Sequence, residues 1–368
     1  MSVTAFLHIG LALLVAFLVA GVLIPAIDGP AHRLGLIDHP DHRKRHAKPT
    51  PLTGGLGVFA GFVVAMFVLG APMAPYWSLI LGMIVLLLTG LADDLVEVSA
   101  KARLLIQIGV GCLMVYGGGL SVNILGEIFG PAYGLVGLGY FAGPFTVACV
   151  VFMINAINMS DGLDGLAGGS CMFIFALLAL AGWLSGASAT LVAIPLVLAL
   201  ATLGFLVHNL RMPGRDRARA FLGDAGSMML GFAIAWLAVA IHKDPGTNIY
   251  PVSIAWIMVV PAMDTLALFF RRIHLGKSPF APDRTHLHHI FRRCGYGVAT
   301  TVHLIHLLVV ATGLFGILAW QYGWPEWLMF AGAAGVLLGY QLFLGNAHRV
   351  LRWHRRRAKE RNASRMTG

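Results

Sequence analysis

The sequence predicts an all-α, polytopic membrane protein, a bundle of about eleven transmembrane helices forming a single domain, and three observations carry that reading. Hydrophobic residues make up 58% of the 368-residue chain and charged residues only 11%, more apolar surface than a soluble core can absorb. The apolar residues fall in runs long enough to cross about 30 Å of hydrocarbon, roughly 20 residues each. The charges that remain are confined to alternate connectors.

The apolar runs lie near 3–27, 52–71, 77–92, 103–120, 137–157, 166–184, 187–208, 221–241, 249–270, 302–320 and 325–345. The first has neither a basic n-region nor a clear cleavage site, so it reads as a retained helix. The segments 28–51, 93–103, 209–220, 271–301 and 346–368 hold 5, 2, 4, 6 and 8 Lys or Arg, which is 25 of 26, Lys243 being the exception. By the positive-inside rule those segments are cytoplasmic, with the N-terminus outside and the C-terminus inside. The membrane domain is expected over 1–345, followed by a basic tail over 346–368 that meets lipid headgroups. The net charge of +10 thus describes one face of a membrane protein and needs no nucleic acid to explain it. Cys112, Cys149, Cys171 and Cys294 have no metal-ligand spacing and read as packing residues. No transporter-type repeat is visible.

The polar residues cluster at the predicted inner face. The third run ends in LADDLVEVSAK, where Asp93, Asp94 and Glu97 crowd together; carboxylates this close repel unless a cation or proton compensates. Mg²⁺, which takes carboxylate, amide and phosphate oxygens, is the natural partner, with Mn²⁺ allowed as a substitute. The fifth run ends in NAINMSDGLDGL, bringing Asn155, Asn158, Ser160, Asp161 and Asp164 to a helix end. Polar groups near membrane depth are costly and usually face a cavity or an ion. In FLGDAGS, Asp224 opens the eighth run, either as a capping residue or as a further metal ligand. The loop RRIHLGKSPFAPDRTHLHHIFRRCGYG gathers His286, His288 and His289 with Arg272, Lys277 and Arg284, a cationic group suited to diphosphate oxygens. Zinc is the competing idea there. The first inner loop adds Arg43, Arg45 and Lys48 ahead of PTPLTGG, for topology or for substrate contact. Carboxylates for a divalent ion facing cations for phosphates, at helix ends in lipid, suit an enzyme joining a soluble phosphorylated donor to a lipid acceptor. A transporter of lipid-linked or nucleotide sugars would instead place carboxylates near the bilayer midplane.

PTPLTGG, LADDLVE, NAINMSDGLDGL, FLGDAGS and HLHH, in this order and each on an inner loop, resemble the motifs of the polyprenyl-phosphate N-acetylhexosamine-1-phosphate transferases. LGLIDHPDHRKRH, KSPFAPDRTHLHH and PEW resemble the branch that uses undecaprenyl phosphate and N-acetylglucosamine. The resemblance implies a multi-pass protein of the bacterial inner membrane that transfers GlcNAc-1-phosphate from UDP-GlcNAc to undecaprenyl phosphate, the first membrane step of O-antigen or related glycan synthesis. A family member using another UDP-aminosugar is the alternative. Carried over by motif position, Asp224 and Asn158 would hold Mg²⁺ on the donor diphosphate. Asp93 and Asp94 would act on the lipid phosphate, with Asp93 as the candidate base. Phe221 would stack on the uracil and Asp164 would hydrogen-bond it, with Asp161, Asn209 and Lys48 nearby. The histidine loop and Arg272 would face the sugar and phosphates, His286 being counted with Asp93, Asp94, Asp161 and Asp164 in the catalytic group. The expected partners are UDP-GlcNAc, undecaprenyl phosphate and membrane lipid, with a homodimer allowed and no nucleic acid.

Overall fold

A computed structural model describes residues 3–38, 49–212, 214–276 and 285–345. It is a helical membrane protein in which each predicted apolar run becomes a helix. The helices are α1 (Val3–Ala26), α2 (Asp28–Leu34), α3 (Gly54–Leu69), α4 (Trp77–Val96), α5 (Ala100–Cys112), α6 (Ala142–Ser160), α7 (Leu166–Ser185), α8 (Ala189–Asn209) and α9 (Gly223–Lys243). They continue with α10 (Pro251–Ile257), α11 (Val259–His274), α12 (Leu287–Arg293) and α13 (Val298–Gln321), and α14 (Glu326–Gly345) closes the described bundle. Among the described residues nine helices are long and apolar enough to cross a membrane, and α3 is a shorter apolar helix. The remaining structure is slight: Ile37–Asp38 pairs antiparallel with Thr50–Pro51, and short 3₁₀ turns interrupt the long connector between α5 and α6.

The ninth helix is the axis of the bundle. It is apolar all round and 94% of its spanning window is buried, as expected of a helix with neighbours on every side. The third, fourth, sixth and seventh helices pack around it, which α4 and α3 can do closely because of glycine. A Cβ at Gly90 would lie 2.2 Å from Cα of Ala225, and one at Gly55 would lie 2.6 Å from the amide nitrogen of Gly226. The ends of α3 and α4 that carry PTPLTGG and LADD are thereby pressed against the start of α9.

One predicted span is broken. Residues 249–270 read as a single run, but α10 and α11 meet at an 83° bend. Pro261 explains it: continuing α10 would drive the pyrrolidine ring into the carbonyl of Ile257, four residues back, and Pro has no N–H to give it. The chain turns at Met258 instead, and α11 starts anew.

Candidate active site

Four predicted motifs converge at one end of the bundle. Asp93 sits in the last turn of α4, where its Oδ1 accepts a 2.7 Å hydrogen bond from the Val98 amide. Its Oδ2 accepts from Nη1 of Arg103, in the first turns of α5. The same nitrogen reaches Oδ2 of Asp224 at 3.4 Å, so the two carboxylates face each other across one guanidinium. Asn158, near the end of α6, donates from Nδ2 to Asp224 Oδ1 at 2.6 Å and to Ser227 Oγ at 2.9 Å. Asp93, Asp224 and Asn158 thus form one polar cluster, as the sequence predicts.

Asp94 does something the sequence reading did not foresee. Its Oδ1 accepts from the Asp224 amide at 3.1 Å and its Oδ2 from the Ala225 amide at 3.4 Å. The first N–H groups of a helix have no partner within it, so Asp94, from another helix, caps α9. A carboxylate is favourable at that positive dipole end. Asp94 therefore positions Asp224 through the backbone amides its carboxylate accepts from. On the other side of Asp224, the Gly54 and Gly55 amides donate to the carbonyls of Phe221 and Leu222 at 2.9 and 3.1 Å, and the Phe221 amide to Pro51 at 2.8 Å. This ties PTPLTGG to FLGDAGS and holds the half-buried Phe221 at the rim.

Asp161 follows α6. It is exposed, though protein crowds the carboxyl enough to strip part of its hydration. That desolvation pushes its carboxyl up to about 7, helped by the carboxylates of Asp224, Asp94, Asp164 and Asp38. Asp164 accepts from Arg211 Nε at 2.7 Å and from the Ala218 amide at 3.2 Å, both on Oδ2. Asn209 is buried: its Oδ1 accepts from the Gly165 amide at 2.7 Å and its Nδ2 donates to the Ala220 carbonyl at 2.8 Å. Each end of this amide makes a backbone bond, so Asn209 pins the Asp161–Gly165 turn to the loop before α9.

The histidine motif arrives from the α11–α12 side. His286 Nδ1 lies 2.9 Å from Oδ2 of buried Asp264 on α11, whose Oδ1 accepts from the Leu287 amide at 3.0 Å and the Tyr340 hydroxyl at 2.5 Å. His288 packs on the Asp161–Asp164 turn: a Cβ at Gly162 would stand 2.6 Å from its Nε2. The motif thus abuts the aspartates, but the cationic character expected of it does not extend to His288. Burial, with His289 and His286 adding to it, lowers His288 to about 3, so it is a neutral imidazole near pH 7. Among the described residues its Nε2 has no hydrogen-bond partner, which leaves that atom for a ligand or water. His289 stands 4.2 Å from His288, ring centre to ring centre, and Arg272 is buried at the end of α11. Lys48, Arg43, Arg45, Lys277, Arg284 and the tail 346–368 lie outside the described residues.

Glu97, grouped by its spacing with Asp93 and Asp94, is exposed and turns the chain at the end of α4 with φ +52. Three participants escaped the sequence reading. Arg103 was counted only for topology, although ten residues after Asp93, beyond a Ser99-capped turn, is where an antiparallel helix returns alongside. Asp264 is an ionisable residue inside an apolar run, which by itself signals function. Asp38, held on the short strand, adds its charge to those around Asp161.

The donor set suits a hard divalent cation. Carboxylate and amide oxygens of Asp93, Asp224 and Asn158 are ligands Mg²⁺ accepts, and Mg²⁺ commonly takes only one or two protein carboxylates beside water and substrate phosphates. Among the described residues no three His, Cys, Asp or Glu side chains form a ready-made metal group, and a cation shared with a diphosphate needs none.

The sequence profile described as Glycosyl transferase family 4 matches residues 76–242, the stretch that carries the acidic motifs and Phe221. An undecaprenyl-phosphate alpha-N-acetylglucosaminyl 1-phosphate transferase of Escherichia coli (strain K12) is 36% identical over 329 residues, 89% of this chain and 88% of its own. The protein of that name from Yersinia pestis is 36% identical over 338 residues, with the same coverage. That from Haemophilus influenzae is 33% identical over 346 residues, 94% of this chain and 97% of its own. With likeness of this degree along most of its length, the chain belongs to glycosyl transferase family 4, alongside the bacterial undecaprenyl-phosphate alpha-N-acetylglucosaminyl 1-phosphate transferases.

Proposed function

We propose that the protein transfers GlcNAc-1-phosphate from UDP-GlcNAc to undecaprenyl phosphate, in the bacterial inner membrane and from the cytoplasmic side. An oxygen of the acceptor phosphate attacks the sugar-bearing phosphorus of the donor. The bond from that phosphorus to the bridging oxygen breaks, UMP leaves with that oxygen, and undecaprenyl-diphosphate-GlcNAc remains. The observation that carries this reading is the meeting of Asp93, Asp224 and Asn158 at one bundle end, beside the turn on which His288 packs. That end corresponds to the inner face predicted from the basic loops. The names of the relatives support the donor sugar and the lipid acceptor.

Asp224 and Asn158 would hold Mg²⁺ on the donor diphosphate. When bound, the ion supplies charge neutralisation for the diphosphate and the departing UMP. The protein's share is positioning and electrostatics. A phosphate monoester has a second pKa of about 6, so the acceptor reaches the site largely as a dianion and has little proton to lose. Asp93 therefore contributes chiefly by placement, and any proton it takes is a minor part. Asp94 and Asn209 hold the acidic residues in register. Phe221 offers a face for the uracil, and Asp164, with Oδ2 engaged by Arg211 and the Ala218 amide, keeps Oδ1 for a base N–H. Arg272 and His286 would meet phosphate oxygens, while His288, being neutral, adds hydrogen bonding in place of charge.

The test is conversion by detergent-solubilised protein. With no compartment to cross, UMP release that requires UDP-GlcNAc, a polyprenyl phosphate and Mg²⁺ is expected; no release under those conditions overturns the assignment. A panel of UDP-sugars in the same assay distinguishes GlcNAc from another aminosugar.

A further inference from the structure

Arg103 bridges Asp93 and Asp224, and Asp224 is one of the two residues assigned above to hold the divalent ion. The Arg103 Nη1 is shared between Asp93 and Asp224, carboxylates from two different helices, Asp224 lying 121 positions beyond Arg103 in the chain. Without a cation between them they would repel each other in a partly desolvated site. A guanidinium offers its N–H groups in a rigid planar fork, which suits it to meeting two carboxylates at once. Its position is otherwise unfavourable: Arg103 lies in the opening turns of α5, capped by Ser99, and cations are disfavoured at that end of a helix dipole. The acidic pair accounts for its being there.

One positive charge offsets one of two negative ones. When both carboxyls are ionised, Arg103 leaves the Asp93–Asp224 pair one unit negative, and a dication in its stead would bring the pair to neutrality. A dication and a guanidinium in the same gap would repel each other. The guanidinium also has somewhere to go: its side chain is 30% exposed, and among the described residues its protein acceptors engage Nη1. Its other N–H groups are left for water or an anion, and a guanidinium fork matches phosphate oxygens.

We propose that Arg103 is a resident counter-cation of the metal-free site, displaced when the divalent ion enters and then turned to the phosphates of the substrate. The proposal rests on the reaction assigned above and adds to it an ordered exchange: arginine out, metal in, arginine onto phosphate. As a group that waits on a neighbour and moves, Arg103 couples metal entry to substrate grip.

The experiment uses full-length protein in detergent, with Mn²⁺ alone as the metal probe, read by its electron paramagnetic resonance signal without nucleotide. Arg103→Gln is expected to bind Mn²⁺ at least tenfold more tightly than wild type, to melt at a lower temperature without metal, and to recover that difference with saturating Mg²⁺. With substrates present, its KM for UDP-GlcNAc should rise. Arg103→Lys should fall between the two in Mn²⁺ affinity. Equal losses of melting temperature with and without metal, or unchanged or weaker Mn²⁺ binding, overturn the proposal and leave Arg103 a plain structural ion pair. Should Arg103→Gln fail to fold, wild-type protein decides: phenylglyoxal labelling of Arg103, followed by mass spectrometry, is expected to increase when Mg²⁺ is added, and no increase overturns it. Apart from the KM, none of these readouts uses UMP release, so a protein that turns over normally while failing the metal-binding and melting tests loses this proposal alone.

Discussion

His286 and Asp264 form a buried pair, Nδ1 to Oδ2 at 2.9 Å, with the Tyr340 hydroxyl closing the other side of the carboxylate. The pair fixes which ring nitrogen of His286 faces Asp264 and therefore which one is left for a substrate. It also attaches the histidine motif to α11 and α14 at once. Asp264→Asn keeps the shape but loses the acceptor strength and should reduce UMP release roughly 10-fold or more, as loss of an orienting carboxylate behind a functional histidine does. Tyr340→Phe leaves one lone pair of Asp264 unmet and should cost about 1–3 kcal/mol of stability with a smaller kinetic loss. Steady-state rates beside melting curves for the two variants separate orientation from stability.

Asp224 carries the metal assignment. Asp224→Ala should lower turnover at least as far as Asp93→Asn, because the acceptor phosphate has little need of a base whereas the diphosphate needs its counter-ion. The check is the Mg²⁺ dependence of UMP release in purified variants. Near-normal turnover of Asp224→Ala at low Mg²⁺ would end the assignment.

Asp161 predicts a pH dependence whose sign follows from its raised pKa. In the fold, desolvation and the neighbouring carboxylates push it up to about 7; the unfolded chain returns it to the ordinary value of about 3.9. The folded protein therefore holds a proton that the unfolded chain has already released, and the stability this gives is lost as pH rises from about 4 to about 7. Asp161→Asn removes the loss. Without divalent metal, the variant should melt above wild type at pH 8 and show no such gain at pH 4, as differential scanning fluorimetry would record.

Helix approach at Gly90 is a further point of attack. A methyl group there meets the backbone of Ala225, not a movable side chain, so α4 and α9 must separate. Gly90→Ala should cost about 1–3 kcal/mol, in the range of overpacking, and should weaken the cap that Asp94 places on α9, lowering turnover beyond the stability effect. Gly109→Ala on α5, with open space around it, is the control and should be close to neutral in both readouts.

The membrane helices were legible because a long apolar run in a chain this poor in charge has few other uses, and each predicted run has its helix. The bend at Met258 was not legible from hydropathy, which is blind to helix direction; Pro261, placed four residues beyond Ile257, was the available sign. At the site, the aspartates could be picked out by type and spacing, since carboxylates at lipid-embedded helix ends are costly without a purpose. Their division of labour could not. Asp93 and Asp94 are adjacent in sequence and alike in chemistry, yet one faces Arg103 and the other caps α9, a difference set by helix phase and by residues far along the chain. The backbone bonds of Asn209 were hidden for the same reason: an amide's partners are invisible until the backbone around it is placed.

The span between Asp94 and the amides it satisfies, 130 and 131 positions downstream, bears on how the protein is made. While the ribosome is still working, Asp93 can meet Val98 and Arg103 close by in the chain, but Asp94 enters with α4 before the amides it caps, and it waits until the ninth helix has been threaded in beside it. A nascent or truncated product ending before Asp224 would thus be inert toward sugar nucleotides, which spares the cell premature consumption of its carrier lipid by half-built enzyme.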